Sequence, residues 1–328
     1  MDCSSSGGGG DVAIGGGDFP HLDALHAMQY ATATHGAGCV SRSELGHWIK
    51  YISNLEYKKR DAYKTDVDTT FGSNAAGILT WLPHLTRDDL LYVSFKNDPL
   101  QVPFFVAADH ARKTVVLAVR GTVTLADAVT DMLVKPESMQ EFWLKLKKEV
   151  VAARTKNGWF KVEKTAGNED APTGISSLKT SLHATLNIER EIEAEAEPES
   201  ESESEDGNPF QGFTAHSGIL LAAGNIYKDL AASLQFDYIF DKASKCHGYQ
   251  LVLTGHSLGG GAAVLLAFLL RLKYPGLKCF AFSPPGGLVN GAAWKESEKF
   301  VTTVIVGNDL IPRCSLEAIK KLQRYSEQ

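Results

Sequence analysis

Apolar positions along this chain recur with two different periods, and the switches between them mark strands and helices. In "FPHLDALHAMQYATATHG", Leu22, Leu25, Met28 and Tyr30 fall at near-helical spacing, and Gly36 is placed to end the helix. "VPFFVAADHARKTVVLAVRGT" (102–122) holds two β-rich runs around a polar turn, the pattern of a hairpin-like pair. "SMQEFWLKLKKEVV" (138–151) predicts an amphipathic helix with Met139, Phe142, Trp143, Leu146 and Val150 on one face and Lys145, Lys147 and Lys148 nearby. Packing on the domain is the expected use of that face; a basic helix lying on a lipid surface is the alternative. Periodicity then fails from about 155 to 209. Beyond it, 213–234 reads as helix, 249–255 as strand, 258–274 as helix, 277–283 and 300–307 as strands, and 315–324 as a last helix. Strands alternating with helices predict the α/β class: a mostly parallel sheet flanked by helices.

Charge refines the organisation. Ten acids and one base, Arg190, lie between Glu189 and Asp206, so that segment carries −9 of a net −6 and leaves +3 on the rest. Such a self-repelling, low-complexity stretch is expected to be a disordered insertion at about 155–209 within one catalytic domain spanning 19–328. The Gly/Ser-rich residues 1–18 read as a flexible tail with neither the charged nor the apolar region of a signal peptide. A near-neutral remainder excludes a nucleic-acid-binding stripe. The longest apolar run, "AAVLLAFLL" (262–270), is about half the ~18–20 residues that span a bilayer, which predicts a cytoplasmic chain, at most peripheral to membranes. Five scattered cysteines, with no C-x-x-C pair, are expected to be free thiols.

The candidate chemistry lies in "LVLTGHSLGGGAAVLLAFLL" (251–270). A G-x-S-x-G match alone is weak, because glycine is common here. Its setting makes it specific: Gly255-His256-Ser257-Leu258-Gly259 follows an apolar, β-branched strand and opens an apolar helix. In that strand–turn–helix, Ser257 is the expected nucleophile, and Gly255 and Gly259 let strand and helix approach. The N–H of Leu258 is the first expected oxyanion donor. The second is expected from "AVRGT" (118–122), where Thr122 offers an N–H and a hydroxyl. Asp309 in "VIVGNDLIPR" (304–313), in a turn after a strand, is the expected acid that would orient a histidine. This chemistry needs no metal or other cofactor, and no metal-ligand motif is visible in the sequence.

GHSLGGG, VRGT, "AHSG" (215–218) and "GNDLIPR" together resemble class 3 lipases. "PFFVAADHARKTVVLAVRGTVTLADAVTD", "AFSPPGG" and "ALHAMQYATATHG" narrow the resemblance to the diacylglycerol lipase branch. It covers nearly everything from about Leu22 to Arg324 except the insertion. It implies an α/β-hydrolase fold and hydrolysis of diacylglycerol, preferentially at sn-1, to a monoacylglycerol and a fatty acid, at a membrane or lipid-droplet surface. It also implies nucleophile Ser257, acid Asp309 and oxyanion donors Thr122 and Leu258, with His216 structural and His256 turned away from the role of base. A phospholipase A1 or general esterase remains an alternative, because triad chemistry does not choose the ester.

The chain departs from the family in one respect that touches chemistry. The triad of this fold runs Ser, Asp, His, yet all ten histidines precede Ser257 and only 19 residues follow Asp309. The expectation is therefore a domain truncated at its C-terminal end, with the proton acceptor outside this chain. The corresponding alternative is a catalytically dead homologue that binds lipid or a partner.

Overall fold

The computed structural model describes residues 24–36, 45–54, 73–96, 100–121, 135–156, 209–232 and 235–326. The Gly/Ser-rich tail, almost all of the acidic insertion and Thr122 lie outside them. The N-terminal elements are helices α1 (Ala24–Ala33), α2 (Leu45–Asn54) and α3 (Ser73–Trp81), followed by strands β1 (Leu90–Ser94), β2 (Phe104–Asp109) and β3 (Thr114–Val119). Next come β4 (Pro136–Ser138), α4 (Met139–Lys156), β5 (Thr214–His216), α5 (Ser217–Ala232) and the short α6 (Gln235–Tyr238). The C-terminal part holds β6 (Gln250–His256), α7 (Leu258–Arg271), β7 (Lys278–Phe282), α8 (Gly291–Ser297), β8 (Val301–Val304) and α9 (Leu316–Ser326).

Six strands form the central sheet in the order β1-β2-β3-β6-β7-β8. β1, β2 and β3 run antiparallel to one another, whereas β3, β6, β7 and β8 are parallel. The hairpin and the helix-separated strands thus fold as their patterns predict. Boundaries differ in two places: the strand read over 300–307 is confined to Val301–Val304, and residues 214–216, read as the start of a helix, form a strand paired antiparallel with β4. Three residues carry too little periodicity to declare a strand, and here a partner far away in sequence decides.

Helices cover both faces. α7 is buried from Leu258 through Leu270, which explains its apolar character all round: it is enclosed by the sheet and by α5. Met139, Phe142, Trp143 and Leu146 of α4 are buried in the same core, and α4 packs on α5. The apolar face of α4 is therefore used within the domain. α4 and α5 stand on either side of the acidic insertion in sequence, so the chain returns to one core across it. Each fully buried Leu or Phe in this core contributes about 1.5–3 kcal/mol.

On the opposite face, α1 lies against the sheet and ends through Gly36, whose φ of +55° would strain a side-chain-bearing residue. A buried polar cluster ties this helix to the sheet. His26 Nε2 and the Tyr30 hydroxyl lie 3.0 and 3.2 Å from Oδ2 of Asp109, which is 1% exposed, and His84 Nε2 lies 3.0 Å from the Tyr30 hydroxyl. His26 and Tyr30 share a helix face because they are one turn apart.

Cys246, Cys279 and Cys314 are free thiols. Burial within β7 pushes the Cys279 thiol well above its ordinary range, and only the thiolate reacts rapidly. A small thiol reagent at pH 8 should therefore leave Cys279 unmodified until denaturant is added. Modification at the rate of a free thiol in native protein, mapped by mass spectrometry, would show that β7 is not enclosed as described.

Candidate active site

The parallel register brings one end of the sheet into line: His256 pairs with Phe282, and Phe282 with Val304. Three chain segments turn away just beyond these residues, and each carries a polar group. Ser257 follows β6 directly, with φ +55° and ψ −128°, a conformation that few side-chain-bearing residues adopt, and it caps the N-terminus of α7. Its N–H donates to Phe282 O at 2.9 Å, and its carbonyl accepts from Gly261 N at 3.1 Å. A strained serine held between a central strand and a helix N-terminus is the geometry a nucleophile elbow requires.

Gly255 and Gly259 make the turn possible. A Cβ on Gly255 would stand 2.8 Å from Gly260 N and nearer still to the Gly259 carbonyl. A Cβ on Gly259 would stand 2.5 Å from both the carbonyl carbon and oxygen of Arg120, at the end of β3. The loop after β3 is equally close: a Cβ on Gly121 would lie 2.5 Å from His256 O and 3.5 Å from the Ser257 Cβ. The segment expected to supply the second oxyanion donor therefore runs past Ser257, although Thr122 itself is outside the described residues. Leu258, the other expected donor, is the first residue of α7, where an N–H has no acceptor within the helix and forms part of the positive end of the helix dipole.

Asp309 sits in the turn five positions after β8. A hydrogen bond from the Ser283 side chain, reinforced by Ile311 N donating to Asp309 Oδ1 at 3.0 Å, holds its carboxyl below the usual carboxylate range; the charges of His256 and Arg313 add to this. The acid is thus kept ionised, the state in which it can orient an imidazole. Ser283 is a residue that the sequence reading did not single out. It follows β7, is buried, has φ +47°, and its N–H donates to Val304 O at 2.9 Å. It lies between the two segments in the register: Ser257 bonds to Phe282, and Ser283 bonds to Asp309. The "FSPP" after an apolar strand was its only trace in the sequence.

The histidines distribute unevenly. His26 and His84 cluster with Asp109 at the other end of the sheet, and His110 there bonds to Tyr249 and Asp89. His216 Nδ1 accepts from Ile219 N at 3.4 Å and so closes the first turn of α5, a structural role. His256 is half-buried beside Ser257. Among the described residues no side chain is hydrogen-bonded to Ser257 Oγ.

A sheet with parallel strands β3-β6-β7-β8, a serine elbow after β6 and an acid after β8 define an α/β-hydrolase domain. The sequence profile of the family described as Lipase (class 3) matches residues 116–318. The chain belongs to that family. It is 31% identical to diacylglycerol lipase-alpha of Homo sapiens over 261 residues, 78% of this chain and 19% of that protein. To diacylglycerol lipase-beta of Mus musculus it is 31% identical over 236 residues, 72% of this chain and 25% of that protein. It thus spans about a fifth to a quarter of the length of these relatives. Among solved structures it is similar to lipase II from Rhizopus niveus, with 15% identity, a TM-score of 0.46, and coverage of 88% of this chain and 74% of that one.

Proposed function

We propose that this chain carries the nucleophile and acid of a hydrolase of acylglycerols, with diacylglycerol as substrate, releasing a fatty acid from sn-1 and leaving a monoacylglycerol. The observation that carries this reading is the strained Ser257 at a strand–helix elbow in a chain of the class 3 lipase family. Ser257 Oγ attacks the ester carbonyl as a histidine takes its proton, and the carbonyl oxygen becomes an oxyanion held by Leu258 N–H and by Thr122. Collapse of the tetrahedral species expels the monoacylglycerol as an alcohol, protonated by the same histidine, and leaves the acyl group on Ser257. Water, activated by that histidine, then releases the fatty acid. Asp309 fixes the histidine's tautomer and orientation. The described residues place no histidine on Ser257 Oγ, so the base is proposed to come from outside them. That same observation favours the second reading, an inactive homologue that binds lipid.

The substrate class rests on the relatives, both named diacylglycerol lipases. The loop that holds Asp309 supports a lipid surface as the working environment: Ile305, Val306 and Leu310 are 41%, 80% and 62% exposed at the end of the sheet where Ser257 lies. Among the described residues no helix is long and apolar enough to cross a membrane, which agrees with peripheral attachment. The substrate assignment is tested with a histidine-complemented form of the domain, offered diacylglycerol labelled at sn-1 or sn-2 and phosphatidylcholine. Fatty acid released mainly from sn-1 of diacylglycerol is the expected result. Equal release from phosphatidylcholine would favour the phospholipase A1 reading.

We further propose that 19–328 is a single catalytic domain and that its acidic segment opposes docking on anionic lipid, since ten acids face like charge there. Deleting Glu189–Asp206 should leave one cooperative unfolding transition and strengthen binding to phosphatidylserine-containing vesicles at low salt, with the gain vanishing in high salt. Loss of soluble, cooperatively folding protein would make the segment structural instead.

A further inference from the structure

The cluster at the other end of the sheet carries a site that the hydrolytic chemistry does not use. We propose that His26, His84 and Asp109 form a zinc site that fastens α1 and the turn after α3 to the end of β2.

The first argument is distance. A tetrahedral zinc with ligands at about 2.0–2.1 Å places its ligand atoms about 3.3 Å apart. Here His26 Nε2 lies 3.0 Å and His84 Nε2 3.6 Å from Asp109 Oδ2, and all three ligand atoms lie within 4.8 Å of one another. The Tyr30 hydroxyl, 3.0 Å from His84 Nε2 and 3.2 Å from Asp109 Oδ2, stands at the same spacing, as a fourth ligand or a partner of one. Two imidazoles and one carboxylate oxygen are a donor set that suits zinc and not calcium or magnesium.

The second argument is the orientation of the carboxylate. Asp109 Oδ1 accepts from Arg112 N at 3.1 Å, which fixes the carboxylate and leaves Oδ2 facing the histidines. The Arg112 guanidinium, 3.7 Å from Oδ2, is the competing cation; its side chain is 38% exposed and can move into solvent.

A third, independent observation comes from Thr114. It pairs with Asp109 across the β2–β3 hairpin, and so projects on the same sheet face. Thr114 is 1% exposed, yet its hydroxyl has no hydrogen-bond partner among the described residues. An orphaned buried hydroxyl beside the carboxylate is what a zinc-bound water would satisfy. His84, with a side chain 33% exposed, is the route of entry. β6 separates this site from Ser257 by its whole length, on the order of 20 Å, so the metal fastens the N-terminal helices to the sheet and does not take part in ester chemistry.

The test uses the untagged chain, stripped with a chelator and titrated with zinc sulfate by calorimetry, with thermal unfolding and circular dichroism in parallel. One zinc per chain, a rise of several degrees in the unfolding temperature, and tetrahedral d–d bands on cobalt(II) substitution are expected. His84→Ala, at a partly exposed position outside any helix or strand, should keep the fold and weaken zinc binding at least tenfold. Thr114→Val should weaken it about tenfold, and His110→Ala should leave it unchanged. No stoichiometric zinc uptake by the folded wild-type chain, or equal uptake by His84→Ala, overturns the proposal and leaves a hydrogen-bonded network without metal.

Discussion

A form of the domain in which a histidine reaches Asp309 and Ser257 should hydrolyse diacylglycerol about 10⁴–10⁶-fold faster than one in which none does. The reason is the pKa of a serine hydroxyl: at neutral pH it is not a nucleophile until a base takes its proton during attack. Ser257 has the strained backbone, the helix N-terminus and the neighbouring β3 loop that such attack exploits. Asp309 is held ionised by Ser283 and Ile311. Among the described residues, however, no side chain is hydrogen-bonded to Ser257 Oγ. Substrate binding and the proposed oxyanion donors alone would leave a residual rate. Robust turnover of the 328-residue chain that Ser257→Ala abolishes would show that one of its own histidines serves as the base, His256 being the first to examine.

Gly259→Ala should cost about 4 kcal/mol or more, a loss reserved for changes that break the core or its backbone, and should lower the unfolding temperature on the order of 10 °C. The added Cβ meets backbone, not a side chain that could rotate aside: Arg120 C and O at 2.5 Å, with Val119 O closer still. Val119 ends a strand bonded on both sides, to β2 and to β6, and α7 is buried along nearly its whole length, so neither partner can yield cheaply. Gly276→Ala is the matched control, because a Cβ there meets nothing within 4 Å; it should shift the transition by no more than about 2 °C. Equal effects of the two substitutions would mean that strand and helix do not approach as described.

The parts of the fold legible in the sequence are those whose causes are local. The β-branched run of β6, the glycines of the turn and the apolar length of α7 state a strand, a sharp turn and a buried helix within 25 residues. The β2–β3 hairpin is as clear, because its two runs flank a polar turn. β5 was not legible: "TAH" sits beside an apolar run of helical period, and only pairing with β4 makes it a strand. α4 could be read as a helix whose apolar face was expected to pack on the domain, with a lipid surface as the alternative; Met139 and Trp143 buried in the core decide for packing.

The site divides along the same line. Ser257, Gly255, Gly259 and Asp309 announce themselves because each belongs to a short motif. Ser283 does not, because a positive φ on a serine and a hydrogen bond to Asp309 are properties of the register between β7 and β8. The His26–His84–Asp109 cluster is least legible of all. Its members come from a helix, a turn and a strand end, and no spacing rule joins them.

The most direct test of the central claim is the site of covalent labelling by a fluorophosphonate, mapped by mass spectrometry on the histidine-complemented form of the domain. The account predicts one modified serine, Ser257, and no label in the Ser257→Ala variant. Label that survives that substitution, or that maps to another serine, would contradict it.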